Sequence, residues 1–199
     1  SNAMIANDGS RSTAIGHQAM VNCTGADDCV AIGQSALSAA SAGDRNVAIG
    51  ADAGQQTTGT NNVYVGYQAA SAAQGAGSNT AVGYQAGSGL SSGTGNVMLG
   101  FNAGSSCGSG TNNTCLGAST DPTVTGTNAT AIGYGATSSP SNGSNQVTLG
   151  NSSIATLRCA VTSITAISDE RDKTQIETIP YGLDFIDSLQ PKKFVWDNR

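Results

Sequence analysis

Asn46-Val47-Ala48-Ile49-Gly50 is the stretch that decides the fold, because similar stretches recur along most of the chain. Nine units end in a glycine, and successive glycines are 16 or 17 residues apart: Gly16, Gly33, Gly50, Gly66, Gly83, Gly100, Gly117, Gly133 and Gly150. A register kept this tightly is typical of stacked structural repeats. A coil of about 17 residues is too short for a strand and a helix, so the spacing predicts a parallel β-solenoid with two short strands per coil.

The residues before each glycine alternate in character. The residue directly before it is Ile, Val or Leu, and the residue two positions earlier is Val or Thr. These two positions share one face of a strand. The position between them is mostly small, although it is Tyr64 in one unit and Met98 in another. We expect the aliphatic face to be the packed inner side, and the small-residue face to bury against other copies of the chain.

A core of this kind is thin. Each coil offers it two sizeable aliphatic side chains and one alanine. Burying a Val or Ile contributes about 1.5–3 kcal/mol, whereas ordering one residue costs about 1–2 kcal/mol of backbone entropy. We therefore expect an obligate oligomer whose axis is parallel to the solenoid.

Composition excludes several classes of partner. The chain has 199 residues, of which 11% are charged, and a net charge of −5. The acidic balance argues against nucleic acid and anionic membranes. No apolar run approaches the roughly 20 residues that span a bilayer, so we expect no membrane insertion. Twelve of the 21 charged residues fall in the last 32 residues, which marks a boundary near Ser168.

Groups that could bind a metal are sparse in the array. Cys23 and Cys29 are close enough in sequence to pair, as are Cys107 and Cys115, while Cys159 is left over. There is no CxxC motif and only one histidine, His17, so we expect no metal site and no cofactor. Asp27, Asp28, Asp44 and Asp52 recur in no register and are interpreted as solvated loop charges.

Aromatic residues follow the glycine in four units: Tyr67, Tyr84, Phe101 and Tyr134. They could form a ladder on which a glycan stacks. Packing between coils or between chains is the interpretation that we favour.

The units resemble the head repeats of trimeric autotransporter adhesins, whose pattern is similar to Asn46-Val47-Ala48-Ile49-Gly50 and Asn96-Val97-Met98-Leu99-Gly100. Asn leads five units: Asn46, Asn62, Asn79, Asn96 and Asn113. Over residues 12–150 the resemblance implies an all-β fold, a left-handed parallel β-roll in an intertwined homotrimer. The coils here are slightly longer, and the leading position departs from Asn in four units: Ser12, Cys29, Ala129 and Gln146.

The remaining segments differ from the array. Residues 1–11 are interpreted as a tag remnant and lead-in, and residues 151–167 as an extended neck where three chains wrap around one another. In the C-terminal segment, Ser168-Asp169-Glu170-Arg171-Asp172-Lys173 resembles the opening of the endosialidase-type intramolecular chaperone domain of phage tailspikes and fibres. A short amphipathic helix and a strand follow, which makes residues 168–199 a small α+β segment.

That second resemblance implies a domain that drives trimer assembly and is then released by self-cleavage. Carried over to this chain, the bond that breaks is Ile167–Ser168, with Ser168 as nucleophile and Lys173 as its base. Because the chain stops at Arg199, short of a complete chaperone domain, we expect cleavage only in the full-length protein.

These observations favour a structural, receptor-binding part of a homotrimeric viral or phage fibre on the virion surface. Its partners would be copies of itself and a host-surface glycan or protein receptor. One alternative is the head of a bacterial trimeric surface adhesin. A second is a glycan-degrading tailspike, although acidic residues are too scarce in the array to suggest a catalytic pair, and we expect no activity on an external substrate.

Overall fold

The computed structural model describes residues 9–38, 43–122, 125–138, 143–158 and 160. The chain divides into two units, Ser1–Thr156 and Leu157–Arg199. The second unit lies almost entirely outside the described residues, as do Cys159 and residues 161–167 of the expected neck. The expected helix and strand of the C-terminal segment also fall there.

Nine three-residue strands form one parallel sheet, and their order in the sheet is their order in the chain. Each strand pairs in parallel with the next, so that Val47 lies beside Val63 and Ile49 beside Val65. The strands are β1 (Thr13–Ile15), β2 (Val30–Ile32), β3 (Val47–Ile49), β4 (Val63–Val65), β5 (Thr80–Val82), β6 (Val97–Leu99), β7 (Thr114–Leu116), β8 (Thr130–Ile132) and β9 (Val147–Leu149). The predicted parallel β-solenoid is confirmed, and no helix occurs in the part of the chain that the structure describes.

Each coil carries one strand rather than the two that the spacing suggested. Across the rest of the coil, only isolated bridges occur among the described residues, for example between Gly77 and Thr94. Left-handed backbone explains the difference, since Gln85 has φ of 52° and Gly87 has φ of 64°, and such residues interrupt an extended strand. The turns nevertheless stack, because the N–H of Gly87 donates to the carbonyl of Ala103 one coil later at 2.8 Å.

The glycine that ends each strand permits this stacking. Gly66 has φ of +138°, and a Cβ there would lie 2.3 Å from the carbonyl oxygen of Gly83 in the next coil. Neither the backbone conformation nor the space admits another residue. The strand-ending glycines therefore mark places where the backbones of successive coils come into close contact.

The faces of the strands are the reverse of our expectation. The middle residue points inward: Ala48, Tyr64 and Met98 are fully buried. The flanking aliphatic residues point outward, with Ile49 37% and Leu99 42% exposed. The reason is space, because the interior of so short a coil already holds the buried asparagines and, three residues after seven of the nine glycines, a buried alanine such as Ala53 or Ala86.

Large inner residues are accommodated by glycines elsewhere in the coils. A Cβ on Gly54 would lie 2.8 Å from Cδ2 of Tyr64, and a Cβ on Gly104 would lie 2.6 Å from Cγ of Met98. Gly54 and Gly104 are each four residues after a strand-ending glycine. Leu37 holds that position in the coil whose inner strand residue is the small Ala31. Large and small residues thus alternate to keep the interior filled.

A second buried column consists of the leading asparagines. Oδ1 of Asn79 accepts from both the backbone N–H and the side-chain amide of Asn96, at 2.9 and 3.0 Å. The amide of Asn79 donates to the carbonyl of Gly93 at 2.9 Å. Ser12 and Cys29, which replace the leading asparagine in two units, also accept a hydrogen bond from the next coil. The Ser12 hydroxyl accepts from the N–H of Cys29 at 3.1 Å, and the Cys29 thiol accepts from the N–H of Asn46 at 3.4 Å. The buried side chains of this column are thereby hydrogen-bonded to the neighbouring coil.

Candidate binding surfaces

The outward face of the sheet is an aliphatic strip. Its larger members are exposed by between 37% and 72%: Ile15, Ile49, Val63, Val97, Leu99, Leu116, Ile132, Val147 and Leu149. With strands about 4.8 Å apart and a rise of about 3.3 Å per residue, the strip measures roughly 38 by 10 Å. Contiguous apolar patches of several hundred Å² on a soluble chain are typical of interaction sites.

An aromatic column runs beside this strip, one residue after each strand-ending glycine. The rings of Tyr67 and Tyr84 have centroids 5.4 Å apart, and those of Tyr84 and Phe101 are 5.3 Å apart. Their planes are inclined by 21° and 10°, so the rings stack face on face. The favoured interpretation of packing between coils is confirmed for these three. Roughly half of each ring remains exposed, which leaves the column available to a partner.

Charged side chains cluster at one corner of the first coils. The Arg11 guanidinium binds both carboxylate oxygens of Asp28, at 2.5 and 3.0 Å. Oδ1 of Asp27 accepts from the N–H of Ser10 at 2.5 Å, and Oδ1 of Asp44 accepts from the N–H of Asp27 at 3.1 Å. Hydrogen bonds from Ser10 lower the pKa of Asp27, and the bond from Arg11 lowers that of Asp28. These carboxylates are therefore hydrogen-bonded within the protein.

Cysteines and other metal-binding side chains do not converge. Within the described ranges, no group of three His, Cys, Asp or Glu side chains could hold a metal ion. Cys23, Cys29, Cys107 and Cys115 are buried and are not joined in disulfides. Burial raises the pKa of Cys107 to about 11 and also raises that of Cys115. The thiols of Cys29, Cys107 and Cys115, whose pKa values burial raises, therefore stay protonated at neutral pH.

An open polar cleft lies on the turn side of the middle coils. It has a volume of about 460 Å³ and is lined by Gln55, Gln56, Thr58 and Gln74. The amide of Gln74 donates to Oε1 of Gln56 at 3.2 Å. The cleft is thus walled by amides that already bond to one another.

The residues predicted for self-cleavage, Ser168 and Lys173, lie outside the described residues, and so does the bond between Ile167 and Ser168. The inward orientation of the middle strand residue, in contrast, could have been predicted from the sequence. The signal was the occurrence of Gly87 and Gly104 in the coils around Met98, which marks the middle strand position as the crowded one. No helix among the described residues has the length and apolar character to cross a membrane.

Comparison with protein families finds a match in the C-terminal segment. The family model described as chaperone of endosialidase matches residues 168–199. This region is the last sixth of the chain and begins at the serine of the motif. No curated protein and no solved structure matches the chain.

Proposed function

We propose that this chain is the structural and receptor-binding part of a homotrimeric viral or phage fibre, exposed on the virion surface. The observation that carries the proposal is the combination of an array with an outward aliphatic strip and a C-terminal segment similar to the chaperone of endosialidase family. In this proposal the array is the shaft or head of the fibre, and the C-terminal segment assists assembly.

The energetics of the coil support assembly. The inner face carries mainly alanine, while the larger aliphatic side chains lie outside. The inner core is therefore leaner than the sequence suggested, and the free energy available from burying the outer side chains, about 25 cal/mol per Å², is gained only between chains. Three copies around a common axis would each bury this strip.

A direct test changes one side chain of the strip. Leu99→Asp places a charge on the aliphatic face. Ser109→Asp adds the same charge at an exposed polar position and is the matched control. We expect chemical cross-linking to give trimers for the wild type and for Ser109→Asp, and to lose them for Leu99→Asp. Trimers that persist in Leu99→Asp would show that the strip is not the interface.

The second part of the proposal is release of the chaperone segment. The Ser168 hydroxyl would attack the carbonyl carbon of Ile167 while the Lys173 amine accepts its proton. As Lys173 returns that proton to the departing nitrogen of Ser168, the Ile167–Ser168 peptide bond would break to an ester and a free amine. Water would then hydrolyse the ester. The products are a chain that ends at Ile167 and a segment that begins at Ser168.

Mass spectrometry of a longer protein with the complete chaperone domain tests this step. We expect the wild type to yield the cleaved products, and Ser168→Ala and Lys173→Ala to stay intact. Ser188→Ala, a serine of the same segment, is the control and should cleave. Cleavage that persists in Ser168→Ala would contradict the assignment of the nucleophile.

The two alternatives make different predictions. A bacterial adhesin head would be followed by a stalk and a membrane anchor, which sequencing the rest of the reading frame would detect. A glycan-degrading tailspike requires a pair of free carboxylates, whereas Asp27 and Asp28 are engaged by Ser10 and Arg11. The fibre proposal therefore expects binding of host glycans without turnover.

A further inference from the structure

The aromatic column is interrupted once, at Ala118, between two exposed rings. Phe101 belongs to the coil before Ala118, and Tyr134 belongs to the coil after it. The backbone continues in register across the interruption, because the N–H of Ser119 donates to the carbonyl of Phe101 at 2.8 Å and that of Gly135 donates to the carbonyl of Ala118 at 2.9 Å. The missing ring leaves a gap in a regular column.

The gap has the width of one ring. Two strand spacings of about 4.8 Å place the backbone positions of Phe101 and Tyr134 roughly 10 Å apart. The column stacks its own rings at 5.3 to 5.4 Å, so one further ring at the same spacing fills the interval. Tyr134 is 73% exposed and Phe101 53%, compared with 46% for Tyr84, which has a ring on both sides.

The two sides of the gap differ in polarity. On the strand side lie the exposed aliphatic residues Leu116 and Ile132. On the other side lie the exposed Ser119 and the half-buried Asn102, whose Oδ1 is buried without a hydrogen-bond partner in the described part of the chain. In the preceding coils the equivalent amides are paired, because Gln85 donates to Gln68 at 2.8 Å. The pairing does not extend to the coil of Phe101.

Charged side chains are scarce in the coils around the gap. Residues 53–157 contain a single charged side chain, that of Asp121. Its carboxylate accepts from the N–H of Ser106 at 3.0 Å. A ligand that enters the gap meets aromatic faces, a methyl group and neutral polar groups, and gains nothing from a charge of its own.

The geometry points to this gap, bounded by Phe101, Ala118 and Tyr134, as a binding site for the pyranose ring of a neutral glycan. A pyranose has apolar C–H faces that suit two aromatic walls, and hydroxyl groups at its rim that suit the exposed Ser119. The stacked part of the column offers no such site, because Tyr67 and Phe101 cover both faces of Tyr84. This inference rests on the proposed receptor-binding function and names the chemical class of the receptor.

One substitution fills the gap and a matched one does not. Ala118→Tyr supplies the missing ring, whereas Ala51→Tyr adds a ring at the other end of the column, beside Tyr67. The probe is an array of neutral, pyranose-containing glycans, with thermal unfolding of each variant to establish that it folds. We expect the wild type and Ala51→Tyr to bind the same glycans, and Ala118→Tyr to lose more than tenfold in affinity.

Tyr134→Ala removes one wall at an exposed position and should leave the fold intact. We expect it to raise the Kd for the best array glycan by about three- to tenfold, in line with the contribution of one aromatic contact. Equal binding by the wild type and Ala118→Tyr would overturn the site while leaving a receptor-binding fibre in place. Absence of binding to every neutral glycan on the array would also overturn the site. Failure of the fibre proposal would be detected by a different measurement, as a chain that does not trimerise.

Discussion

Tyr64 and Tyr67 are three residues apart, yet they belong to different regions of the molecule. Tyr64 lies on the inner face of β4 and is fully buried, whereas Tyr67 follows the strand and is 45% exposed. The inner region must match its neighbours in volume, as Tyr64 matches Gly54. The outer region has no such constraint within one chain, and its aliphatic strip and aromatic column remain available to partners. One short strand therefore separates residues that hold a coil together from residues that we propose hold copies together.

The largest expected effect is on the inner side. Tyr64→Ala leaves a cavity and should lower the free energy of unfolding by about 3–5 kcal/mol, whereas Tyr67→Ala loses one stacked neighbour and should cost about 0.5–1.5 kcal/mol. Urea unfolding at a fixed protein concentration compares them. Tyr64→Phe is the control and should cost much less than Tyr64→Ala, because it keeps the buried ring and removes only the hydroxyl. Equal losses at the two tyrosines would contradict the assignment of faces.

The asparagine column should be the next most sensitive. Asn79→Ala leaves the carbonyl of Gly93 and the N–H of Asn96 without their partners, and each buried unpaired group costs about 1–3 kcal/mol. Asn22→Ala, at an exposed position, should change stability by less than about 0.5 kcal/mol. Chemical denaturation measures both. If Asn79→Ala lowered stability as little as Asn22→Ala, water would be able to replace the buried amide.

A double-mutant cycle sharpens the claim that inner volumes are matched. Gly104→Ala should destabilise the protein, because the new Cβ meets Met98 at 2.6 Å and because a left-handed backbone disfavours alanine. In a Met98→Ala background the steric part disappears, so we expect a coupling energy of about 1 kcal/mol or more. Additive effects would show that the two sites do not share space.

The smallest expected effect concerns the charged corner. The Arg11 guanidinium lowers the pKa of Asp28, so the carboxylate contributes stability above its unfolded pKa, about 3.9, and this is lost as the pH falls through the folded value. Because the pair is exposed, the contribution is small. Thermal unfolding of wild type and Asp28→Asn between pH 7 and pH 2 measures it. The difference in unfolding temperature between the two proteins should become smaller as the pH falls. A difference that grew in acid would contradict a lowered pKa for Asp28.

The 16- or 17-residue spacing of the glycines was sufficient to predict the parallel solenoid. The spacing is regular because each coil needs a glycine where it contacts the next one, as where Gly66 meets the carbonyl of Gly83. It did not determine which face of the strand lies inside. Alternation assigns residues to two faces, but both faces of these strands carry apolar residues, and size alone suggested that the larger ones are buried. The second strand was also overpredicted, because the left-handed backbone of residues such as Gln85 has no strong signature in the side chain.

Other features depend on contacts one coil apart. The pairing of Arg11 with Asp28 and the acceptor role of Cys29 follow from a separation of 17 residues, which the repeat length supplies once the register is known. The gap at Ala118 likewise becomes visible only when the aromatic residues are placed in one column. The roles of Ser168 and Lys173 remain predictions from the motif.

The native mass of the chain tests the central claim, that the outer strand face is covered by other copies. Light scattering on the folded, unmodified protein should give the mass of three chains of 19.7 kDa, about 59 kDa. A folded species of 19.7 kDa that persists at micromolar concentration would contradict the account, because it would show that one chain can leave its aliphatic strip in water.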